Sequence, residues 1–130
     1  MLVVDASILA PALAYDGPGG DRVRSRLRGQ SLAAPQLVDL ETASVIRRGV
    51  LAGRLDDRRA QLALTDLVEL PLLRAPHRPL LTRCWELRDN LTIYDAAYVA
   101  LAELLDVVLV TADARLAGAP GVRCEIDLLR

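Results

Sequence analysis

Two short aliphatic runs in this chain end in the same way. Leu2-Val3-Val4 runs directly into Asp5, and Val107-Val108-Leu109-Val110 runs into Thr111-Ala112-Asp113. Neither run alternates apolar with polar residues, so neither suits a strand with one wet face. Continuous β-branched and aliphatic runs of this length belong to strands covered on both faces, which is the situation of a parallel sheet under helices. Each run then delivers an Asp into a strand-to-helix turn. Ligand sites of open parallel sheets lie outside the carboxyl ends of the strands. If the two strands are neighbours, Asp5 and Asp113 approach each other there.

The rest of the chain fits that frame. Residues 5–10 read as helical after the first strand, and Tyr15 to Gly20 as a loop. Asp21 to Arg28 reads as an exposed helix with an Asp N-cap, ended by Gly29. Leu32 to Ala34 reads as a strand closed by Pro35. Gln36 to Leu51 is a helix with a Leu40, Ala43, Ile46, Val50 stripe, stopped by Gly53. Asp56 to Leu70 is a second long helix with Leu62, Leu67 and Val68 inward. Leu70 to Leu73 is a strand, Arg78 to Asp89 and Tyr94 to Leu105 are helices, Asp113 to Leu116 is a helical turn, and Val122 to Ile126 is a last strand. Alternating strands and helices indicate an α/β class with a parallel sheet. With no linker or repeat in its 130 residues, the chain is expected to be one domain over residues 1–130.

The inventory narrows the chemistry. All sixteen basic residues are Arg, against seventeen acids, for a formal net charge of −1. Without Lys there is no Schiff-base chemistry and no Lys phosphate clamp. The single histidine, His77, sits between Pro76 and Pro79 and reads as a loop residue, so a His-pair ribonuclease mechanism is excluded. Cys84 and Cys124 match no zinc spacing and read as reduced thiols. No apolar run is long enough to span a bilayer, and the N-terminus has no basic n-region. Both point to a cytoplasmic protein with no membrane partner. Any acid–base or metal chemistry therefore falls to carboxylates.

Two helices add to the group at the strand ends. Glu41 lies early in the helix from Gln36, and Asp95 at the start of the helix from Tyr94, where the helix dipole favours its ionised form. Gathered carboxylates repel and raise one another's pKa values unless a cation neutralises them. Hard divalent cations take oxygen ligands, and Mg²⁺ keeps waters and phosphate oxygens beside one or two carboxylates. The plain alternative is that Asp5, Asp95 and Asp113 are helix caps and Glu41 a solvated residue.

The motifs resemble a known family. Val-Val-Asp5-Ala-Ser7, Pro35-Gln-Leu-Val-Asp-Leu-Glu41, Tyr94-Asp95-Ala-Ala-Tyr98 and Thr111-Ala-Asp113-Ala-Arg115-Leu116 are similar, in order and spacing, to the segments of PIN-domain proteins, in particular VapC-type toxins. The resemblance covers the whole chain. It implies a three-layer α/β/α sandwich with a central, mainly parallel sheet. It implies that Asp5, Glu41, Asp95 and Asp113 bind Mg²⁺ or Mn²⁺ and act in catalysis, with Ser7 and Thr111 as supporting polar positions. Arg115 stands where some members carry a further acid, which argues against a second tightly held ion. The resemblance further implies a metal-dependent endoribonuclease, the toxin of a toxin–antitoxin pair. Such a toxin would cut structured RNA, with transfer RNA as the usual class, leave 5′-phosphate and 3′-hydroxyl ends, form a homodimer and be inhibited by a VapB-like antitoxin.

The net charge opposes RNA binding, which usually leaves a basic footprint. If the four acids face a metal, thirteen of the seventeen remain against sixteen Arg. Arg22, Arg24, Arg26 and Arg28 form one candidate rim, and Arg47 and Arg48 another. Apolar residues of the Asp56–Leu70 helix, including Leu62, Leu64, Leu67 and Val68, are candidates to face a second subunit or the antitoxin. Two other acid-rich α/β classes are excluded by residue type. A phosphate-accepting receiver domain needs a Lys, and a haloacid-dehalogenase-type phosphatase needs an acid where Ser7 stands. The remaining rival is a catalytically inert PIN-like interaction module.

Overall fold

A computed structural model describes residues 1–130. Five strands form one wholly parallel sheet: β1 (Leu2–Val4), β2 (Leu32–Pro35), β3 (Leu72–Ala75), β4 (Val108–Thr111) and β5 (Ile126–Leu128), in the order β3-β2-β1-β4-β5. The chain moves outward from β1 through β2 to β3, then returns to the other side of β1 for β4 and β5. The strand order thus reverses at β1 and β4, which are neighbours, and the crevice for a ligand lies beyond their carboxyl ends. Leu2 pairs with Val108 and Val4 with Val110, so Asp5 and Thr111 follow side by side.

Seven helices cover the sheet: α1 (Ala6–Ala14), α2 (Pro18–Leu27), α3 (Val38–Leu51), α4 (Asp57–Glu69), α5 (Leu81–Glu86, entered through a 3₁₀ turn at Arg78–Leu80), α6 (Ile93–Leu105) and α7 (Ala114–Ala117). The helix α1 packs against α2, α3 and α4, while α6 lies on β1, β2 and β4 and carries α5. The architecture is the expected three-layer α/β/α sandwich. Residues 96–102 of α6 are buried without a break, and Val3, Val4, Leu109 and Val110 have no exposed surface. That matches the unbroken aliphatic character of β1 and β4. Small side chains (Ala33, Ala34, Ala96, Ala97, Ala100, Ala102) let α6 sit close on the sheet.

Several elements depart from the sequence reading. The stretch read as a loop up to Gly20 already contains the start of α2, because Pro18 takes the first helical position; its N-cap is Gly17 and not Asp21. On α3 the buried side is Val38, Thr42, Ile46 and Gly49, and Leu40 is 78% exposed. The helix begins at Val38, and its inward face is set by packing on α1, one position away from the Leu40 stripe. On α4 the inward residues are Ala60, Ala63 and Leu67; Leu62 and Val68 are exposed. Ala60 and Ala63 permit the close approach to α1 that longer side chains would block. The last strand starts at Ile126, not Val122, since only Ile126–Leu128 find partners on β4.

Arginines close helix ends. Arg24 donates to the carbonyls of Ala12 and Tyr15 at the end of α1, at 3.0 and 2.9 Å. Arg74 donates to the Leu67 and Leu70 carbonyls at the end of α4, at 2.6 and 3.2 Å, while its Nε reaches Asp39 at 2.8 Å. A helix leaves its last carbonyls without intrahelical partners, and these cations supply them. His77 Nε2 accepts the Leu37 amide at 2.9 Å and so holds the entry to α3. Both cysteines are free.

At the start of α6, Thr92 is the N-cap and accepts the Asp95 amide at 3.1 Å. Thr92→Ala is expected to lower stability by about 1 kcal/mol, and Thr92→Ser by much less. Equilibrium urea denaturation of the three proteins checks this.

Candidate active site

The four carboxylates singled out in the sequence arrive from four different elements. Asp5 follows β1, Glu41 comes from the first turn of α3, Asp95 from the first turn of α6, and Asp113 from the turn after β4. All four line one pocket of about 240 Å³, together with Ser7, Ser44, Val45, Arg48 and Tyr98. A larger cavity of about 550 Å³ opens by the first residues of β4, at the other end of the sheet, where Arg83 and Glu103 already neutralise each other at 2.9 Å.

The inner wall is a hydroxyl–carboxylate network. Ser7 donates to Asp5 Oδ1 and Thr111 to Asp5 Oδ2, both at 2.5 Å. Each hydroxyl oxygen also accepts a backbone amide: Ser7 Oγ that of Ala112 at 2.9 Å, and Thr111 Oγ1 that of Asp113 at 3.0 Å. With both hydroxyl protons given to Asp5, the 3.4 Å approach of Ser7 to Thr111 is a contact rather than a bond. The network ties the end of β1 to the turn after β4. Asp5 is only 8% exposed, and burial raises its carboxyl above the ordinary value while the Ser7 and Thr111 bonds pull it down.

The other acids have distinct environments. Burial raises Asp95, and the nearby Asp113 charge raises it further, against Thr92 and Arg115. Asp113 is lowered, chiefly by its bond to Arg115, whose guanidinium lies 3.1 Å from Oδ2. Glu41 Oε1 accepts the Tyr98 hydroxyl at 2.6 Å, and burial with that bond drives the phenol far above its usual range. Tyr98 is 1% exposed, so it is fixed in place and stays protonated.

The cap alternative is now separable. Asp5 precedes α1 but makes no side-chain capping bond to it, its oxygens being taken by the Ser7 and Thr111 hydroxyls, and Asp95 is not a cap, since Thr92 holds that position. Asp113 does cap α7, accepting the Arg115 amide at 2.9 Å. Three carboxylates therefore enter the pocket without a capping role that would account for them.

The set fits a hard cation by its donors, which are all oxygen and mostly anionic. As the side chains stand, no three of them converge closely enough to share one ion. The reason is visible in the bonding: Glu41 is turned to Tyr98, Asp5 to its hydroxyls, and Asp113 to Arg115. The last partner is the weakest hold, because the Arg115 side chain is 88% exposed.

The sequence reading does not include Tyr98 among the site residues and places Arg48 only on an RNA-contacting rim; both line the pocket itself. Helical spacing carries the signal for both. Tyr98 lies three residues after Asp95 on α6 and Arg48 seven after Glu41 on α3, so each shares a face with its acid.

The sequence matches the family model described as PIN domain over residues 2–122. It is 46% identical over 129 residues to Ribonuclease VapC1 of Mycobacterium tuberculosis, an alignment covering 98% of this chain and 97% of that protein. The fold resembles the crystal structure of Mycobacterium tuberculosis VapC20, described as a sarcin-ricin loop cleaving toxin, with a TM-score of 0.70, 17% identity, and 95% of this chain and 99% of that one covered. It also resembles a chain of Rickettsia felis VapBC2 bound to a DNA fragment from their promoter, with a TM-score of 0.69, 14% identity, and coverage of 99% and 98%.

Thr111 has no exposed surface, and removing its hydroxyl leaves both Asp5 Oδ2 and the Asp113 amide without partners. Thr111→Val, which keeps the shape, is expected to cost about 1–3 kcal/mol in equilibrium denaturation. No loss would mean the network does not hold the pocket.

Proposed function

This chain belongs to the PIN domain family, and from that footing we propose that it is an endoribonuclease of the VapC type, the toxin of a toxin–antitoxin pair, acting with Mg²⁺ or Mn²⁺ on structured RNA. The observation that carries the reading is the convergence of Asp5, Glu41, Asp95 and Asp113 on one pocket at the strand-order reversal. Similarity to a protein named as a ribonuclease across nearly its whole length supports the RNA substrate. Transfer RNA is the proposed class, and 5′-phosphate and 3′-hydroxyl ends the proposed products.

In this reading the four carboxylates hold the metal. When bound, a hard divalent cation supplies a Lewis acid for the scissile phosphodiester and lowers the pKa of a water. The residues of the chain prepare that chemistry. Ser7 and Thr111 fix both oxygens of Asp5 and keep a buried carboxylate in one orientation. Tyr98 holds Glu41 by one oxygen and leaves the other free to accept.

The cognate antitoxin and a second copy of the chain are the proposed partners. The likeness to a VapBC chain supports the first. Exposed Leu62, Leu64 and Val68 on α4 offer an apolar surface to either. No helix is long and apolar enough to cross a membrane, and the cytoplasm is the proposed compartment. One domain over residues 1–130 is the proposed extent.

The test is cleavage of transfer RNA by the purified chain with Mg²⁺ or Mn²⁺. Cleavage is expected with metal, none with EDTA, and none with Glu41→Gln. Tyr98→Phe, which keeps the ring and removes the bond to Glu41, is expected to lower the rate about 10- to 100-fold. A pure, folded chain that leaves RNA intact at every metal concentration would favour the inert interaction module.

A further inference from the structure

The acid pocket, at about 240 Å³, has room for little more than the group being cut, so an RNA strand must leave it on both sides. On one side α3 contributes Arg48, which lines the pocket itself. It makes no ion pair with any of the four acids it faces, and its guanidinium donates only to Ser44 Oγ, at 3.3 Å. On the other side the pocket meets a groove of about 420 Å³ at Ser7, which lines both. That groove has an apolar floor that includes Pro11, Tyr15 and Val23; Arg22 from α2 and Arg130 line it, as does Asp16, which Arg59 neutralises at 3.4 Å. Arg22 also has no carboxylate partner. Its neighbours on the same helix are committed: Arg24 to Asp21 and the end of α1, Arg26 to Asp127 at 2.6 Å. The helix α1, which contains Ser7, packs against both α2 and α3, so Arg22 and Arg48 stand on the helices that flank it.

An unpaired guanidinium beside four carboxylates is a feature in need of a partner. Arg is fully charged and presents a planar fork that matches a phosphate. A strand of phosphates, for its part, is repelled by the acids wherever they are not neutralised, and needs cations at both exits. Resting on the ribonuclease reading above, we propose that Arg48 and Arg22 are positioning residues that hold the backbone phosphates on the two sides of the bond to be cut. Contacts of this kind fix register without reading bases. The groove's apolar floor, with Arg22 at its edge, suits a ribose or base face lying between consecutive phosphates. Of the arginine rims expected from the sequence, one member of each meets these conditions; Arg28 lines a separate cavity near Leu70, and Arg47 lines none of those described.

The test is equilibrium binding of a short fluorescent single-stranded RNA across a salt series, with Ca²⁺ present and the RNA recovered intact. Each phosphate contact contributes about 0.7 to the slope of log affinity against log salt. Arg22→Gln and Arg48→Gln are each expected to reduce the slope by about 0.7, and the double variant by about 1.4. Arg28→Gln, just past the end of α2, and Arg47→Gln on α3, equal in charge change, are expected to leave it in place. In cleavage, Arg22→Gln and Arg48→Gln should raise KM with kcat nearly unchanged. Equal falls in all four variants, a fall in only one of Arg22 and Arg48, or no fall in either would overturn the proposal alone. A wild-type chain with no salt-dependent affinity for RNA would overturn it together with the ribonuclease reading.

Discussion

The structure turns on a carboxylate held where carboxylates are costly. Asp5 sits nearly buried at the seam of β1 and β4, and its two oxygens are each satisfied by a hydroxyl. A buried charge without such partners would cost several kcal/mol. The register that places Val4 opposite Val110 is what brings Thr111 to Asp5. Ser7, two residues on in the first turn of α1, completes the set and fastens the backbone after β4 through the Ala112 amide. The same bonds therefore close the sheet's edge and orient the acid, so the pocket and the fold are fixed by one network.

Charge explains the rest of the site. Burial raises the carboxyls of Asp5 and Asp95, and the Asp113 charge adds to the rise at Asp95 alone. Asp113 escapes because Arg115 pairs with it. That pair is also the readiest to break, being exposed on the Arg115 side. Elsewhere the arginines divide into those that close helix ends, such as Arg24 and Arg74, those that pair with acids, such as Arg26 and Arg83, and a remainder without partners. A chain with a formal net charge of −1 can still face a polyanion when several acids are withdrawn into a pocket and several arginines remain free around it.

Much of this was legible in the sequence. The unbroken aliphatic character of Leu2–Val4 and Val107–Val110, each with an Asp beyond its end, fixed the sheet type and the place of the site, and the motif resemblance named the family. What escaped was face and boundary. Leu40, Leu62 and Val68 follow a helical period but point outward, because Gly49, Ala60 and Ala63 allow helix packing that a search for large apolar residues does not see. Gly17-Pro18-Gly19-Gly20 has loop composition, yet Pro18 starts α2. Tyr98 lies inside the Tyr94–Tyr98 motif, yet the sequence marks it only as a helical residue; the structure puts its hydroxyl on Glu41. The sharing of Arg residues between structural and free roles depends on tertiary contacts that no local pattern records.

The central claim is that the four carboxylates form a metal pocket, and thermal unfolding with and without Mn²⁺, for wild type and Asp95→Asn, tests it without a substrate. Wild type should gain stability with Mn²⁺ by mass action, about 2.7 kcal/mol at a hundredfold excess over the dissociation constant. Asp95→Asn should gain far less, and without metal it should be at least as stable as wild type, because a repulsive charge is gone while Thr92 still caps α6. No Mn²⁺ dependence in wild type, together with an Asp95→Asn protein that is less stable without metal, would contradict the account.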